Sequence, residues 1–230
     1  RALRLLDLMK KNNKSWMLNV FSSARVLQSY TIEQLVELGI GWVWMGLEGK
    51  DSRYRKLNDI DTRALVKSLQ SHGIRVLGSS IIGLENHSPE NIDQIIDYAV
   101  THNTDFHQFM LYTPNSGTPL YEKHKRDGTL YNESEFPVAD AHGQYRFCYR
   151  HKYIHNGQEE QYLINAFQKD FAVNGPSLAR LIKTLLKGWQ QYKHHPDARI
   201  RDRYEWEVKP LRTTYAGAIW AMTKRYRKNK

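Results

Sequence analysis

Two rhythms of apolar residues alternate along the chain. Short, nearly continuous apolar runs stand at residues 15–21 (SWMLNVF), 41–46 (GWVWMG), 74–83 (IRVLGSSIIG) and 106–112 (FHQFMLY), and each reads as a strand. Between them apolar residues recur at helical spacing: Ala64, Leu65 and Leu69 in one segment, Ile92, Ile95, Ile96 and Ala99 in the next. Helix boundaries carry their own chemistry. Thr31 with Gln34 makes a capping pair and Gly39 ends that helix; Asp61 opens the next and Gly73 closes it; Ser88 caps a third, with Pro89 at its first position. Helix starts at 31, 61 and 88 lie about 30 residues apart, the period of an αβ unit. Residues 1–11 also read as helix.

Alternation of this kind predicts an α/β fold with a parallel sheet and right-handed crossovers. The apolar runs predict strands buried on both faces. Ligands of such folds lie at the carboxyl ends of the strands. Those ends here are small and polar: Ser22-Ser23-Ala24-Arg25, Gly46-Leu47-Glu48-Gly49, Gly83-Leu84-Glu85-Asn86 and Tyr112-Thr113-Pro114. Simple strand-to-helix turns would share that composition, but four in succession favour a site. At the fourth exit Pro114 ends the strand, Gly117 permits a tight reversal and Pro119 starts a helix. A four-strand parallel sheet that begins in mid-unit has an unprotected edge, so the chain reads as the later part of a longer barrel.

Charge divides the chain. Residues 1–140 carry a balance of −1, and residues 141–230 a balance of +11. We therefore place a (β/α) half-barrel at residues 1–135 and a basic, mostly helical region at residues 136–230. In the second part, residues 131–157 are aromatic, His-rich and weakly periodic, which predicts an irregular connection. Helical spacing follows in Tyr162, Ala166, Phe167 and Phe171, in Leu178, Leu181, Ile182, Leu185 and Trp189, and from Ile200 to the end with a kink at Pro210.

Composition removes several function classes. The single cysteine, Cys148, leaves no disulfide framework and no cysteine-rich metal site, and suits a reducing compartment. No apolar run reaches the roughly 20 residues of a membrane span. No metal is expected on the ten histidines, which lack an H-E-x-x-H pattern. The basic end, TKRYRKNK, reads either as a solvated terminus or as a contact for phosphates of an anionic membrane, with nucleic acid the less favoured partner.

The segments ELGIGWVWMGLEG, HGIRVLGSSIIGLENHSPENI and QFMLYTPNSGTPLYE, in that order and spacing, resemble the later half of the radical S-adenosylmethionine core, in particular its cobalamin-binding subclass. The resemblance covers residues 1–130, and the helical tail is similar to the extension of some cobalamin-type members. It implies the later half of a radical SAM (β/α) barrel. S-adenosylmethionine would then be the cofactor, with a 4Fe–4S iron–sulfur cluster and cobalamin held mainly by upstream parts of the same polypeptide. The cluster's CxxxCxxC loop does not occur in this sequence. It also implies roles by position. Glu48 would meet the ribose hydroxyls or amino group of the cofactor, or else be a helix-start carboxylate. Ile81 would pack against the adenine and Gly83 would let the backbone approach the ligand, with a place in the core as the alternative for both, and the backbone of Leu111 and Tyr112 would support the adenine. Where many members carry Pro-Gly-Glu after that glycine, this chain has Glu85-Asn86-His87.

Three further positions complete the set. By the same resemblance Ser23 and Arg25 could touch the methionine carboxylate, with a surface arginine as the alternative. Gln108, polar in an apolar strand, needs either a substrate or an internal partner. The expected protein is thus part of a cytoplasmic radical SAM enzyme, peripheral at the membrane, with methyl transfer to a small-molecule or lipid-like substrate as its candidate reaction and no activity alone. A basic binding module for nucleic acid or anionic membrane on a βα scaffold is the alternative.

Overall fold

Strand order in space follows strand order in sequence. In the computed structural model, which describes residues 1–47, 60–211 and 215–228, strands β1 (Leu18–Phe21), β2 (Ile40–Gly46), β3 (Arg75–Ile82) and β4 (Phe106–Leu111) form one parallel sheet in the order β1-β2-β3-β4. Helix α1 (Ala2–Lys11) precedes it. The crossovers are α2 (Ala24–Leu27) with α3 (Ile32–Glu37), then α4 (Thr62–Ser71), then α5 (Ile92–Val100). Beyond β4 come α6 (Pro119–Arg126), an irregular stretch, α7 (Gln158–Asn174), α8 (Ser177–Tyr192), α9 (Ala198–Val208) and α10 (Tyr215–Lys228).

The sequence signals at the crossovers act as expected. Thr31 and Gln34 make a reciprocal capping box, each side chain accepting from the other's backbone N–H at 3.2 and 3.0 Å. Asp61 accepts from the backbone N–H groups of Arg63 and Ala64, satisfying two of the orphan donors of α4. The start of α5 differs. Asn91 accepts from Ser88 N at 2.9 Å and donates to the Asn86 carbonyl at 2.8 Å, which holds residues 88–91 as a turn and moves the helix start to Ile92.

One face of the sheet is packed. Val43, Met45 and Val76 join Leu35, Val36, Leu65, Val66 and Leu69 in one buried cluster; Ile82, Phe109 and Leu111 join Ile92, Ile96, Leu163 and Ala166 in another. The alternate strand positions, Trp42, Trp44, Leu77, Ser79, Ile81, Gln108 and Met110, are only half-buried, and Phe21 is 79% exposed. The expected burial on both faces therefore holds for one face. Right-handed crossovers between strands in sequential order put the crossover helices on the same side, so the alternation of in and out along each strand leaves a second face.

The C-terminal helices share the sheet's core. Tyr192, Ile200 and Tyr204 belong to the first cluster, and Phe136, Phe147, Tyr149 and Ile154 to the second. Helix α8 crosses the end of α4 where Gly188 meets Gly73. A β-carbon on Gly73 would lie 2.6 Å from the Gly188 α-carbon, and the φ of +78° at Gly73 also favours glycine. The buried face of α8 is Arg180, Ile182, Thr184, Leu185, Gly188 and Tyr192, whereas Leu178 is exposed. Ala64 on α4 and Phe167 and Phe171 on α7 are exposed as well, because polar Thr62 and Asp170 occupy inward positions beside them. The helical run expected from Ile200 to the end is interrupted by a 3-10 turn at Lys209–Leu211, at Pro210.

Two buried histidines stay neutral in this fold. Burial holds His87 and His107 down at about 4, against 6.5 for the ordinary imidazole, and the charge of His151 adds to the effect on His87. Between those values the unfolded chain binds protons that the folded chain refuses, so stability falls as pH falls through that window. Each group carries on the order of 3 kcal/mol across it. Asp105 and Glu207, whose carboxyls burial raises, work in the opposite sense at its lower end. The urea midpoint is expected to be lower at about pH 5 than at about pH 7. His87→Asn, which keeps an acceptor for the Gly83 N–H, should lose part of that difference, and a midpoint indifferent to this pH change would refute the assignment.

Candidate functional site

The half-buried face and the strand exits define where a ligand can rest. Strand register puts Ser79 beside Gln108 and Ile81 beside Met110. Gln108 Oε1 is buried and has no hydrogen-bond partner among the described residues. A buried amide oxygen left in that state costs roughly 1–3 kcal/mol, which a ligand donor would recover. Ile81 and Gln108 are therefore brought together on one patch, with the Ser79 hydroxyl between strand neighbours. Ser23 and Arg25 are not part of that patch. They follow β1, three strand spacings or about 14 Å from β4. Ser23 Oγ accepts from Val26 N at 3.3 Å as the cap of α2, and Arg25 is exposed. Glu48 lies outside the described residues.

At the other exits the backbone is already engaged. Gly83, at φ +86°, donates its N–H to His87 Nδ1 at 3.1 Å and accepts from Tyr149 Oη at 2.7 Å. The Phe147 ring lies where a side chain of Gly83 would be: a β-carbon there would sit 2.3 Å from it. Leu111 donates its N–H to the Gly143 carbonyl at 2.8 Å, and Tyr112 donates to Ile82 at 2.7 Å. The amides of Leu111 and Tyr112 are thus taken by the protein, and neither is open to a direct contact with a ligand. Cys148 is buried, and burial raises its thiol above the usual range.

The irregular stretch that covers these exits also walls a cleft of about 660 Å³ above β3 and β4. Its inner wall is aromatic. Tyr149 packs against His124 with ring centres 4.5 Å apart and against Tyr112 at 5.4 Å; Phe147 stacks on His151 at 5.2 Å. His151 accepts at Nδ1 from the backbone N–H groups of Tyr153 and Ile154, each at 3.1 Å. Its Nε2 therefore carries the proton and donates to the Leu84 carbonyl at 3.2 Å. Although His151 and His155 stand four residues apart in sequence, that Nδ1 is spent. Among the described residues no group of three His, Cys, Asp or Glu side chains could hold a metal ion.

Sequence reading singled out Tyr112 but not His124, Tyr149 or His151. For Tyr149 and His151 the signal was the aromatic, His-rich composition of residues 131–157, which has no period to place it; His124, in α6, carried no signal. Among the described residues no helix is long and apolar enough to cross a membrane. No family model matches the chain, and no curated protein matches it in sequence.

Gly83 is the tightest point of the covered exit. Gly83→Ala combines a left-handed φ with a steric overlap on Phe147 and is expected to destabilise the fold by roughly 3 kcal/mol. Chemical denaturation measures this directly; a loss under about 0.5 kcal/mol would show that Phe147 does not pin this exit.

Proposed function

We propose that this chain is the later half of a radical SAM (β/α) barrel, in which the half-buried sheet face is the inner wall that carries S-adenosylmethionine. One observation carries the reading. A parallel sheet in sequential order, with its crossover helices packed on one side, suits a barrel wall better than a doubly wound sheet, and in this reading its inner face needs a counterpart. The motif resemblance supplies the chemistry of that counterpart. Gln108 Oε1 fits the role of an acceptor for a cofactor donor, and Ile81 offers an apolar surface beside it. The amides of Leu111 and Tyr112 do not fit a direct backbone contact, so side chains bear the recognition in this reading.

When bound and reduced by a cluster held elsewhere in the polypeptide, S-adenosylmethionine supplies radical chemistry, with methyl transfer as the candidate reaction. This chain's part is to bind and orient the cofactor and to exclude water from the inner wall. Titrating S-adenosylmethionine into the isotope-labelled protein is expected to move the amide signals of Ser79, Ile81 and Gln108 together and saturably. Gln108→Ala should weaken binding by roughly tenfold, the worth of one hydrogen bond. Absent or scattered shifts overturn the reading.

A membrane-binding role has one specific support. Helix α10 exposes Trp220, 66% accessible, with Lys224 over its ring at 4.6 Å and Arg225, Arg227 and Lys228 in the last turn. Aromatic and basic groups together suit an anionic lipid surface. Salt-sensitive sedimentation with phosphatidylserine vesicles, lost on truncation before Tyr215, is the expected result; salt-independent or unchanged sedimentation counts against it.

A further inference from the structure

The cleft above β3 and β4 is a second concavity, since Ser79, Ile81 and Gln108 do not line it. Its volume, about 660 Å³, falls within the roughly 300–1,000 Å³ of small-molecule sites. Its charges balance. The carboxylates of Glu85, Glu90 and Asp127 face it along with the cations Lys123, Arg150 and Lys152. Each cation is also answered within the protein. Lys123 pairs with Glu85 at 2.6 Å, Arg150 pairs with Glu135 at 3.1 Å, and Lys152 lies over the Tyr153 ring at 4.8 Å. A phosphate or carboxylate would have to displace these partners, and a cationic ligand would meet three positive groups. The cleft's field therefore favours a ligand without net charge.

Hydrogen-bonding capacity is dense all the same. Besides the carboxylates, Asn86, Ser88 and Thr129 contribute an amide and two hydroxyls to the lining. At the aromatic wall His124 Nε2 is buried with no hydrogen-bond partner among the described residues, while its Nδ1 meets Thr129 Oγ1 at 2.7 Å. That contact leaves Nε2 as a donor or an acceptor according to which way the Thr129 hydroxyl points, and a ligand hydroxyl satisfies it either way. The Tyr153 ring, 43% exposed, adds flat apolar surface on which the C–H face of a sugar ring can pack, while Tyr149 backs the wall from within.

We propose that this cleft binds a neutral, hydroxyl-rich small molecule of the mono- or disaccharide class. His124 Nε2 bonds one hydroxyl, Glu90 and Asp127 bond others, and the Tyr153 ring carries the sugar's apolar face. The site is independent of the sheet face and of any cofactor there.

Saturation-transfer difference NMR on the whole chain tests it, with glucose, galactose, mannose and cellobiose as probes and inorganic phosphate and spermidine as charged comparators. At least one neutral sugar is expected to bind saturably, and neither charged comparator to compete. His124→Ala should weaken that binding by about tenfold or more. The double substitution Glu90→Ala with Asp127→Ala should do the same while keeping the wild-type urea midpoint, because both side chains are exposed; it keeps the test decisive if His124→Ala fails to fold. The proposal is overturned if none of the sugars binds, if phosphate or spermidine occupies the cleft in preference, or if sugar binding survives the double substitution.

Discussion

Asp105 is a carboxylate with no exposed surface, and three other elements converge on it. Its Oδ2 accepts from Val76 N on β3 at 2.8 Å and from Gln70 on α4 at 3.2 Å; its Oδ1 accepts from Thr184 on α8 at 2.6 Å. Burial alone would drive such a group toward its neutral form, and its carboxyl is indeed raised, but each of the three bonds opposes that tendency, with the more distant Arg180 charge helping. A buried carboxylate tolerates no loose partner, because each donor removed leaves part of its desolvation unanswered. One residue before β4 thus fixes how that strand starts against β3, where α4 ends, and how α8 lies across both. A second ion pair extends the anchor: Arg180 meets Asp170 with two hydrogen bonds, at 3.0 and 2.6 Å, and Asn174 joins the same carboxylate. The basic helical region is fastened to the sheet by buried polar contacts as much as by apolar area.

That fastening has a consequence for the opposite side. With α4, α5, α7 and α8 committed to one face, Trp42, Trp44, Leu77 and Phe106 are left on the other, where Phe21 packs on Trp44 at 4.7 Å and Trp42 on Phe106 at 5.7 Å. At the amino-terminal end of the sheet Arg75 pairs with Glu207 of α9 and lies over the Trp42 ring at 5.1 Å, so α9 closes that end. The carboxyl-terminal end, where Ser79, Ile81 and Gln108 stand, keeps the side chains a ligand could use.

What could be read from the sequence follows a physical divide. Strands, caps and helix ends are local: the Thr31–Gln34 pair and the Asp61 cap need only neighbours within four residues, and the apolar runs needed no partner to be seen. Inward polar residues were invisible for the opposite reason. Asp105, Thr184 and Asp170 look like surface residues until residues tens of positions away supply their bonds, and their presence inside turns α7 and α8 away from the face that apolar spacing alone indicates. Gln108 stood out as a polar residue in an apolar strand, though alternation alone left open which face it takes, and Ile81 was singled out only by the motif resemblance. His124 and Tyr149 were not legible, because the segment that brings them together has no periodicity and is placed by contacts such as Tyr149 Oη on Gly83.

That same segment decides what kind of chemistry the strand exits can support. By taking the N–H of Leu111 through Gly143 and both backbone groups of Gly83 through His87 and Tyr149, it removes the main-chain donors that parallel sheets commonly offer at their carboxyl ends. Recognition is pushed onto side chains, and they fall on two sides of the covered exits: Gln108 toward the sheet face, His124 toward the cleft. Each presents a buried polar atom without a hydrogen-bond partner among the described residues. Burying such atoms weakens the fold unless something else meets them, so the two positions mark where stability was yielded and where a bound molecule would restore it.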